Sequence, residues 1–157
     1  MSSKRVRLPN LATMVVVSAL FGCSGTSDPI IPPPPSEFDV SVVVEGTVLD
    51  VTAQPVFGVT VRISVYRFEV GAGCTTQLVG PPATAIVTEE GDFARTVVYT
   101  VQDADIDYVE ACITVEALPP SGYLGDSRSN LRAQLKRLLS GVEVVGGVDL
   151  VLEQDPA

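Results

Sequence analysis

The 157-residue sequence contains no histidine, no tryptophan and few cations. Without histidine the chain cannot form a Ser-His or Cys-His catalytic pair or a histidine-ligated metal site. Only 10 Lys and Arg stand against 19 Asp and Glu, which gives a formal charge of −9. Because phosphate binding requires clustered cations, this balance argues against a nucleic-acid partner. The length suits one folded domain rather than two.

The N-terminal segment predicts export. Three cations among the first seven residues precede an apolar run over residues 11–21. The run is shorter than the roughly 20 residues of a spanning helix and fits the apolar region of a signal peptide. It ends in Leu20–Ser24 (LFGCS), which resembles the lipobox of bacterial lipoproteins, where a small residue precedes the acylated cysteine. The alternative is an ordinary secretory signal with a chance cysteine at Cys23.

This resemblance implies a signal peptide over residues 1–22 and a mature chain anchored to the membrane through lipid on Cys23. Removal of the cationic leader makes the mature protein still more acidic, so acyl chains must supply the membrane affinity. Ser24, rather than Asp, follows the cysteine. In Gram-negative lipoproteins this pattern implies sorting to the outer membrane, with the domain facing the periplasm or the cell surface.

Residues 23–37 predict a tether between the anchor and the folded domain. The run Pro32–Pro35 favours extended polyproline II at about 3.1 Å per residue, and such a segment cannot form a core. A spacer that holds the domain off the lipid is favoured over a ligand for a Pro-binding module.

From Phe38 onward, apolar and polar residues alternate with the period of half-buried strands. Even positions are apolar in Val40–Val48, and odd positions are apolar in Val59–Val65. The phase slips at Tyr66–Phe68, which predicts a bulge or a strand end. Turn signals rich in Gly and Pro separate the strands. We therefore predict an all-β fold over residues 38–154, a single transthyretin-like or Ig-like β-sandwich of approximately seven strands.

Residues 129–139 are compatible with a strand or a helix. The four leucines between Asn130 and Leu139 fit helical spacing with Asn130 as a cap. The same residues also alternate as a strand would, and a strand could form a hairpin with the closing strand Val148–Leu152. We favour the strand.

Three motifs resemble the carboxypeptidase regulatory-like domain, namely Gly46–Asp50, Pro55–Val61 and Thr88–Phe93. The resemblance covers roughly residues 40–101 and implies a transthyretin-like (prealbumin-like) β-sandwich. Ala53 stands where the family often has Gly. The family is generally non-catalytic, so the resemblance implies an accessory, spacer or binding module and carries over no functional residues.

Glycines in these motifs have predicted backbone roles. Gly46 and Gly58 allow tight strand edges, and Gly91 permits the positive φ of a hairpin turn.

The three cysteines are an odd number, which requires an explanation in an exported protein. Lipid on Cys23 leaves Cys74 and Cys112 as a pair in an oxidising compartment. Cys112 shares the less apolar face of its strand, which favours a bridge over a buried thiol. A disulfide there would stabilise the fold by roughly 3–4 kcal/mol. The alternative is two free thiols, and a catalytic cysteine lacks a histidine base.

The acidic residues Asp103, Asp105 and Asp107 could bind Ca²⁺, which takes about 6–8 oxygen ligands. The EF-hand pattern is not met, because Tyr108 occupies the position of its glycine. An acidic solvated loop is the favoured interpretation.

A basic stripe is formed by Arg128, Arg132, Lys136 and Arg137. It could contact an anionic partner such as lipopolysaccharide or an acidic glycan. The favoured interpretation is a charged edge strand that prevents aggregation.

These features predict a non-enzymatic, membrane-anchored lipoprotein whose β-sandwich binds or scaffolds an envelope protein or glycan. We expect no cofactor beyond the covalent lipid on Cys23. Neither a G-x-S-x-G nor an S-x-x-K motif is present. The alternatives are a calcium-dependent adhesion module that uses the loop 103–107, and a hydrolase that uses a carboxylate pair.

Overall fold

The computed structural model describes residues 37–102 and 108–156. These residues form nine strands and one short 3-10 helix, Leu138–Ser140. In chain order the strands are β1 (Glu37–Asp50), β2 (Thr60–Glu69), β3 (Gly73–Leu78), β4 (Ala83–Ile86), β5 (Asp92–Gln102), β6 (Tyr108–Leu118), β7 (Tyr123–Leu124), β8 (Ser127–Arg137) and β9 (Glu143–Gln154).

The strands group into two hydrogen-bonded layers. One layer has the order β3-β2-β6-β8, with β4 also paired to β2. The other has the order β5-β1-β9-β7. The layers join where the first residues of β1 pair with the last residues of β8, at Val40↔Arg137 and Ser41↔Lys136. The predicted all-β, sandwich-like fold is confirmed, and the short strands β3, β4 and β7 raise the strand number above the expected seven or so.

The core lies between the two layers and consists mainly of β-branched side chains, which suit the pleated surface of a sheet. The apolar residues predicted to face inward on β1 and β2 are buried, and Ser41 and Ser64 between them are buried as well. The fully buried apolar residues of β1 and β2 are Val40, Val42, Val44, Val48, Val61, Ile63 and Val65. The predicted bulge is also present, since the register between β2 and β3 shifts between Tyr66 and Phe68. Gly91 has the expected positive φ, at +88°.

Residues 127–137 form strand β8, so the preference for a strand over a helix is confirmed. The predicted hairpin with the closing strand is wrong. β8 pairs antiparallel with β6, whereas β9 pairs parallel with β1 in the other layer. The 3-10 helix and Gly141, with a φ of +99°, break the extended backbone between them. The chain therefore crosses between the layers instead of turning back on itself.

Gly46 lies inside β1 and not at a strand edge, contrary to the expectation from the sequence. The parallel register between β1 and β9 shifts between Val44 and Gly46, opposite the pair Gly146 and Gly147. This irregularity brings the backbone of β9 close to Gly46 at Val148. The glycine therefore permits a close backbone approach in the sheet.

The turn after β1 is held by the carboxylate of Asp50. Its Oδ1 accepts hydrogen bonds from the Thr52 N–H (2.8 Å), the Thr52 hydroxyl (2.7 Å) and the Gln54 N–H (2.9 Å). The Thr52 hydroxyl is the largest of the contributions that lower the pKa of Asp50, followed by the Gln54 N–H. Within this turn Ala53 adopts a φ of +62°, the left-handed region that favours glycine.

We expect Ala53→Gly to raise the free energy of unfolding by about 0.5–1 kcal/mol, because left-handed backbone is strained for alanine. Ala53 is exposed, so no packing is lost. The measurement is urea unfolding followed by circular dichroism. Ala72→Gly is the matched control: it makes the same chemical change in the exposed β2–β3 turn, at a residue without positive φ, and should lower stability. Equal effects of the two substitutions would contradict the prediction.

Candidate functional site

The predicted site residues divide into those that the structure places and those that it does not describe. Cys23 and the acidic residues Asp103, Asp105 and Asp107 lie outside the described residues, so lipidation and calcium binding stay predictions. Cys74 and Cys112 are joined by a disulfide with their Cα atoms 5.7 Å apart. Among residues 37–102 and 108–156, no group of three or more Asp, Glu, Cys or His side chains is arranged to hold a metal ion.

The disulfide attaches a weakly packed hairpin to a central strand. Cys74 lies on β3, where every described side chain is exposed or only partly buried. Cys112 lies on β6 and is almost fully buried, at 1% exposure. Both strands pair with β2, at Phe68↔Cys74 and Tyr66↔Cys112. The bridge therefore fastens three strands of one layer together.

The basic stripe is engaged in contacts within the protein. Arg132 forms an ion pair with Glu110 on β6 (2.6 Å) and lies 3.9 Å from the ring centroid of Phe68 on β2. Cross-strand and cation–π contacts of this kind stabilise a sheet face by modest amounts. The partners of the remaining cations are Asp126 for Arg128, Glu143 for Lys136 and the ring of Phe38 for Arg137. These contacts support a structural role for the stripe.

The edge position expected for this stripe holds over part of β8. One side of β8 pairs with β6 along most of the strand, whereas its other side pairs with β1 only at Lys136 and Arg137. Its charged side chains alternate with the buried Ala133 and Leu135. The cations therefore form ion pairs or ring contacts with neighbouring residues on a strand whose second side, among the described residues, is mostly without a partner strand.

Asp126 closes part of an edge that backbone pairing leaves open. β7 pairs with β9 only at Tyr123↔Gln154 and Leu124↔Glu153. Beyond this pair, the Oδ2 atom of Asp126 accepts a hydrogen bond from the Val151 N–H at 2.9 Å. The carboxylate thus accepts the hydrogen bond that a carbonyl oxygen of a neighbouring strand would otherwise accept from β9. Fewer backbone groups of β9 are therefore left without a partner at this edge. Nothing in the local sequence around Asp126 indicates this distant backbone partner.

An acidic groove of about 600 Å³ opens where β1, β5 and β9 run side by side. Three carboxylates line it, from Glu45, Asp92 and Asp149. The Thr47 hydroxyl donates a hydrogen bond to Asp149 Oδ1 at 2.8 Å and so orients that carboxylate within the groove. The groove is open to solvent, and its charge suits a cationic rather than an anionic group.

A second groove, of about 670 Å³, lies near the start of β1. Its lining includes Arg67 and Phe68 from β2, Gln102 from the end of β5, and Tyr108 and Glu110 from β6. This groove mixes both signs of charge with aromatic surface.

Tyr99 is the most buried tyrosine of the described residues and serves packing. Its hydroxyl donates a hydrogen bond to the Pro81 carbonyl oxygen at 3.3 Å, and burial raises the pKa of the phenol. A Cβ atom on Gly80 would collide with the ring, so this glycine makes room for it. The contact fixes the segment before β4 against β5.

Comparisons with known proteins identify no family for this chain. No family model and no curated protein matches the sequence. Among solved structures, the chain is similar to chlorocatechol 1,2-dioxygenase from Pseudomonas putida, with a TM-score of 0.39, 12% identity and coverage of 74% of this chain. It is also similar to 3-chlorocatechol 1,2-dioxygenase from Rhodococcus opacus, with a TM-score of 0.35, 10% identity and coverage of 74% of this chain. Each match spans 61% of the other protein's chain.

The described residues contain no helix that is long and apolar enough to cross a membrane.

Proposed function

We propose that this protein is a lipid-anchored, non-enzymatic binding or scaffolding module of the bacterial cell envelope. The pairing of Cys74 with Cys112 carries the proposal. Structural disulfides persist in oxidising compartments such as the periplasm, which supports export. The same pairing leaves Cys23 as the odd cysteine, at the position where the lipobox requires one. Cysteine number, signal segment and disulfide therefore support one interpretation.

The order of the chain supports display of the domain on a tether. β1 begins at Glu37, which is the last residue of the predicted Pro-rich segment 23–37. We call the end of the sandwich that contains Glu37 the tether end. Because β1 finishes at Asp50 on the opposite side, the loops at residues 51–59, 87–91 and 119–122 lie together at the far end. A partner held away from the membrane would meet these loops first.

Exposed apolar side chains make the far end suitable for a protein partner. Phe57 is 68% exposed in the β1–β2 loop. Large aromatic side chains commonly anchor protein interfaces, because they bury much surface in one pocket. The acidic groove between β1, β5 and β9 lies toward the same end and would favour a partner with a cationic side chain nearby. The resemblance to carboxypeptidase regulatory-like domains also supports a binding role over catalysis.

We expect Cys23→Ser to abolish membrane attachment when the full chain is expressed in a Gram-negative host. The wild-type protein should fractionate with the outer membrane and carry the mass of an acylated chain that begins at Cys23. The intact mass should also show two cysteines that react with alkylating reagents only after reduction. The measurements are mass spectrometry of the extracted protein and density-gradient separation of the membranes.

Ser24→Asp provides the matched control. It keeps the acylated cysteine but replaces the residue that follows it, so the protein should stay lipidated and move to the inner-membrane fraction. An unacylated wild-type protein that retains residues 1–22 would overturn the lipid anchor. Turnover on an esterase, peptidase or glycosidase panel, lost on removal of a single carboxylate, would overturn the non-enzymatic role.

A further inference from the structure

The connection between β8 and β9 exposes a cluster of large apolar side chains. Leu139 is fully exposed on the 3-10 helix, Leu138 is 47% exposed beside it, and Val142 is 46% exposed just before β9. Single exposed apolar residues are common on protein surfaces. Here three of them lie within five consecutive residues, and clustered exposed apolar surface is typical of contact sites.

This apolar turn belongs to the tether end of the sandwich. The residue before it, Arg137, pairs with Val40, and the first residue of β9, Glu143, pairs with Val42. The turn therefore adjoins the first residues of β1. The tip of the β2–β3 hairpin lies at the same end and presents Val70, which is 96% exposed. Two separate loops thus direct apolar side chains toward the side on which the tether enters.

We propose that the apolar turn Leu138–Val142 rests in the headgroup region of the membrane to which the protein is anchored. This inference rests on the proposed lipid anchor at Cys23. The chain enters the domain at Glu37, so an anchor at Cys23 keeps this end of the domain, rather than the far end, at high local concentration near the bilayer.

The chemistry of the turn suits an interface between lipid and water. Leucine and valine side chains partition into the boundary between headgroups and acyl chains. The chain as a whole is acidic, with a formal charge of −9. This charge disfavours anionic lipid, so a zwitterionic surface is the expected partner.

A single tryptophan tests the proposal, because the natural chain contains none. Leu139→Trp is placed in the mature, lipidated protein and mixed with vesicles of phosphatidylethanolamine and phosphatidylcholine. We expect its fluorescence maximum to move to shorter wavelength and its emission to be quenched when the vesicles contain dibrominated phosphatidylcholine. Added phosphatidylglycerol should reduce both effects. Phe57→Trp is the matched control at the far end and should show neither effect. Both variants should keep the urea midpoint of the wild type.

The outcomes of these measurements distinguish contact between the turn and lipid from the lipid anchor at Cys23. If the lipidated Leu139→Trp protein sediments with vesicles while its emission stays unchanged, the anchor stands and the contact of the turn with lipid is overturned. If its emission lies at short wavelength before any vesicle is added, the turn is covered by its own chain or by a second copy, which also overturns the inference. If mass spectrometry finds no acyl group, the proposed function fails. The contact of the turn with lipid is then tested with the double variant Cys23→Ser, Leu139→Trp at high vesicle concentration. A move of its fluorescence maximum to shorter wavelength supports the inference, and an unchanged maximum overturns it.

Discussion

Replacement of both Cys74 and Cys112 by alanine is expected to lower the free energy of unfolding by about 3–4 kcal/mol in the chain-entropy model of loop closure. The bridge closes a loop between residues separated by 38 positions, which restricts the unfolded chain. For a domain of this size the corresponding fall in melting temperature is roughly 10–20 °C. Alanine is preferred to serine because Cys112 is buried, and a serine hydroxyl there would add a desolvation cost of its own.

The structure also predicts where the reduced protein loosens first. β3 contributes few buried side chains, so the hairpin β2–β3 depends on the bridge more than the central strands do. Amide hydrogen exchange should therefore rise most over Gly73–Leu78 after reduction, while β1 stays protected. The control is the wild-type protein treated with a reducing agent, which should match the double alanine variant. Identical urea midpoints for the oxidised and reduced protein would contradict the prediction.

Gly46→Ala is expected to destabilise the protein by about 3 kcal/mol or more, because the new methyl group has no space in a rigid part of the sheet. A Cβ atom at this position would collide with the carbonyl oxygen of Val148 and lie 2.8 Å from its carbonyl carbon. It would also lie 3.0 Å from Cε1 of Phe93, which is buried in the core. Since the main obstacle is backbone, relief requires β9 to move away from β1.

Gly146→Ala is the matched control for this substitution. Its Cβ atom would lie 3.2 Å from Oε1 of Glu45, the far end of a flexible side chain that can rotate away. We therefore expect a change below about 1 kcal/mol for Gly146→Ala. The measurement is the urea midpoint of each variant, with hydrogen exchange over β9 as a local readout. A midpoint of Gly46→Ala equal to that of the wild type would contradict the close approach of β9 to Gly46.

The alternation of apolar residues was sufficient to predict the long strands and the face on which their apolar residues are buried. The apolar residues at even positions of β1 and at odd positions of β2 are buried, as predicted, although Ser41 and Ser64 are buried too. This succeeds because side chains alternate across a strand with a period of two, whatever the strand pairs with. The register shift at Tyr66–Phe68 and the positive φ of Gly91 also depend on nearby residues, so the sequence predicted them as well. The odd number of cysteines predicted which two would form the bridge.

The alternation of apolar and polar residues did not predict which strands pair with each other. An alternating segment such as Val148–Leu152 can pair with any strand of matching length, and proximity along the chain favoured a hairpin with β8. The tertiary structure instead places β9 parallel to β1, which requires the glycine at Gly46. The contacts of Arg132 with Phe68 and of Asp126 with the Val151 N–H depend on the same distant pairing.

The sequence alone determined the long strands of the sandwich and the faces that carry their buried apolar residues, and it predicts export and lipidation. Those properties depend on residues that are close together in the chain. Only the tertiary structure decided the strand order and the position of the apolar turn Leu138–Val142 beside the start of β1. Strand pairing joins residues that are far apart in the sequence, and it is chosen by the shared core and by backbone fit. A local pattern of apolar and polar residues cannot specify that choice.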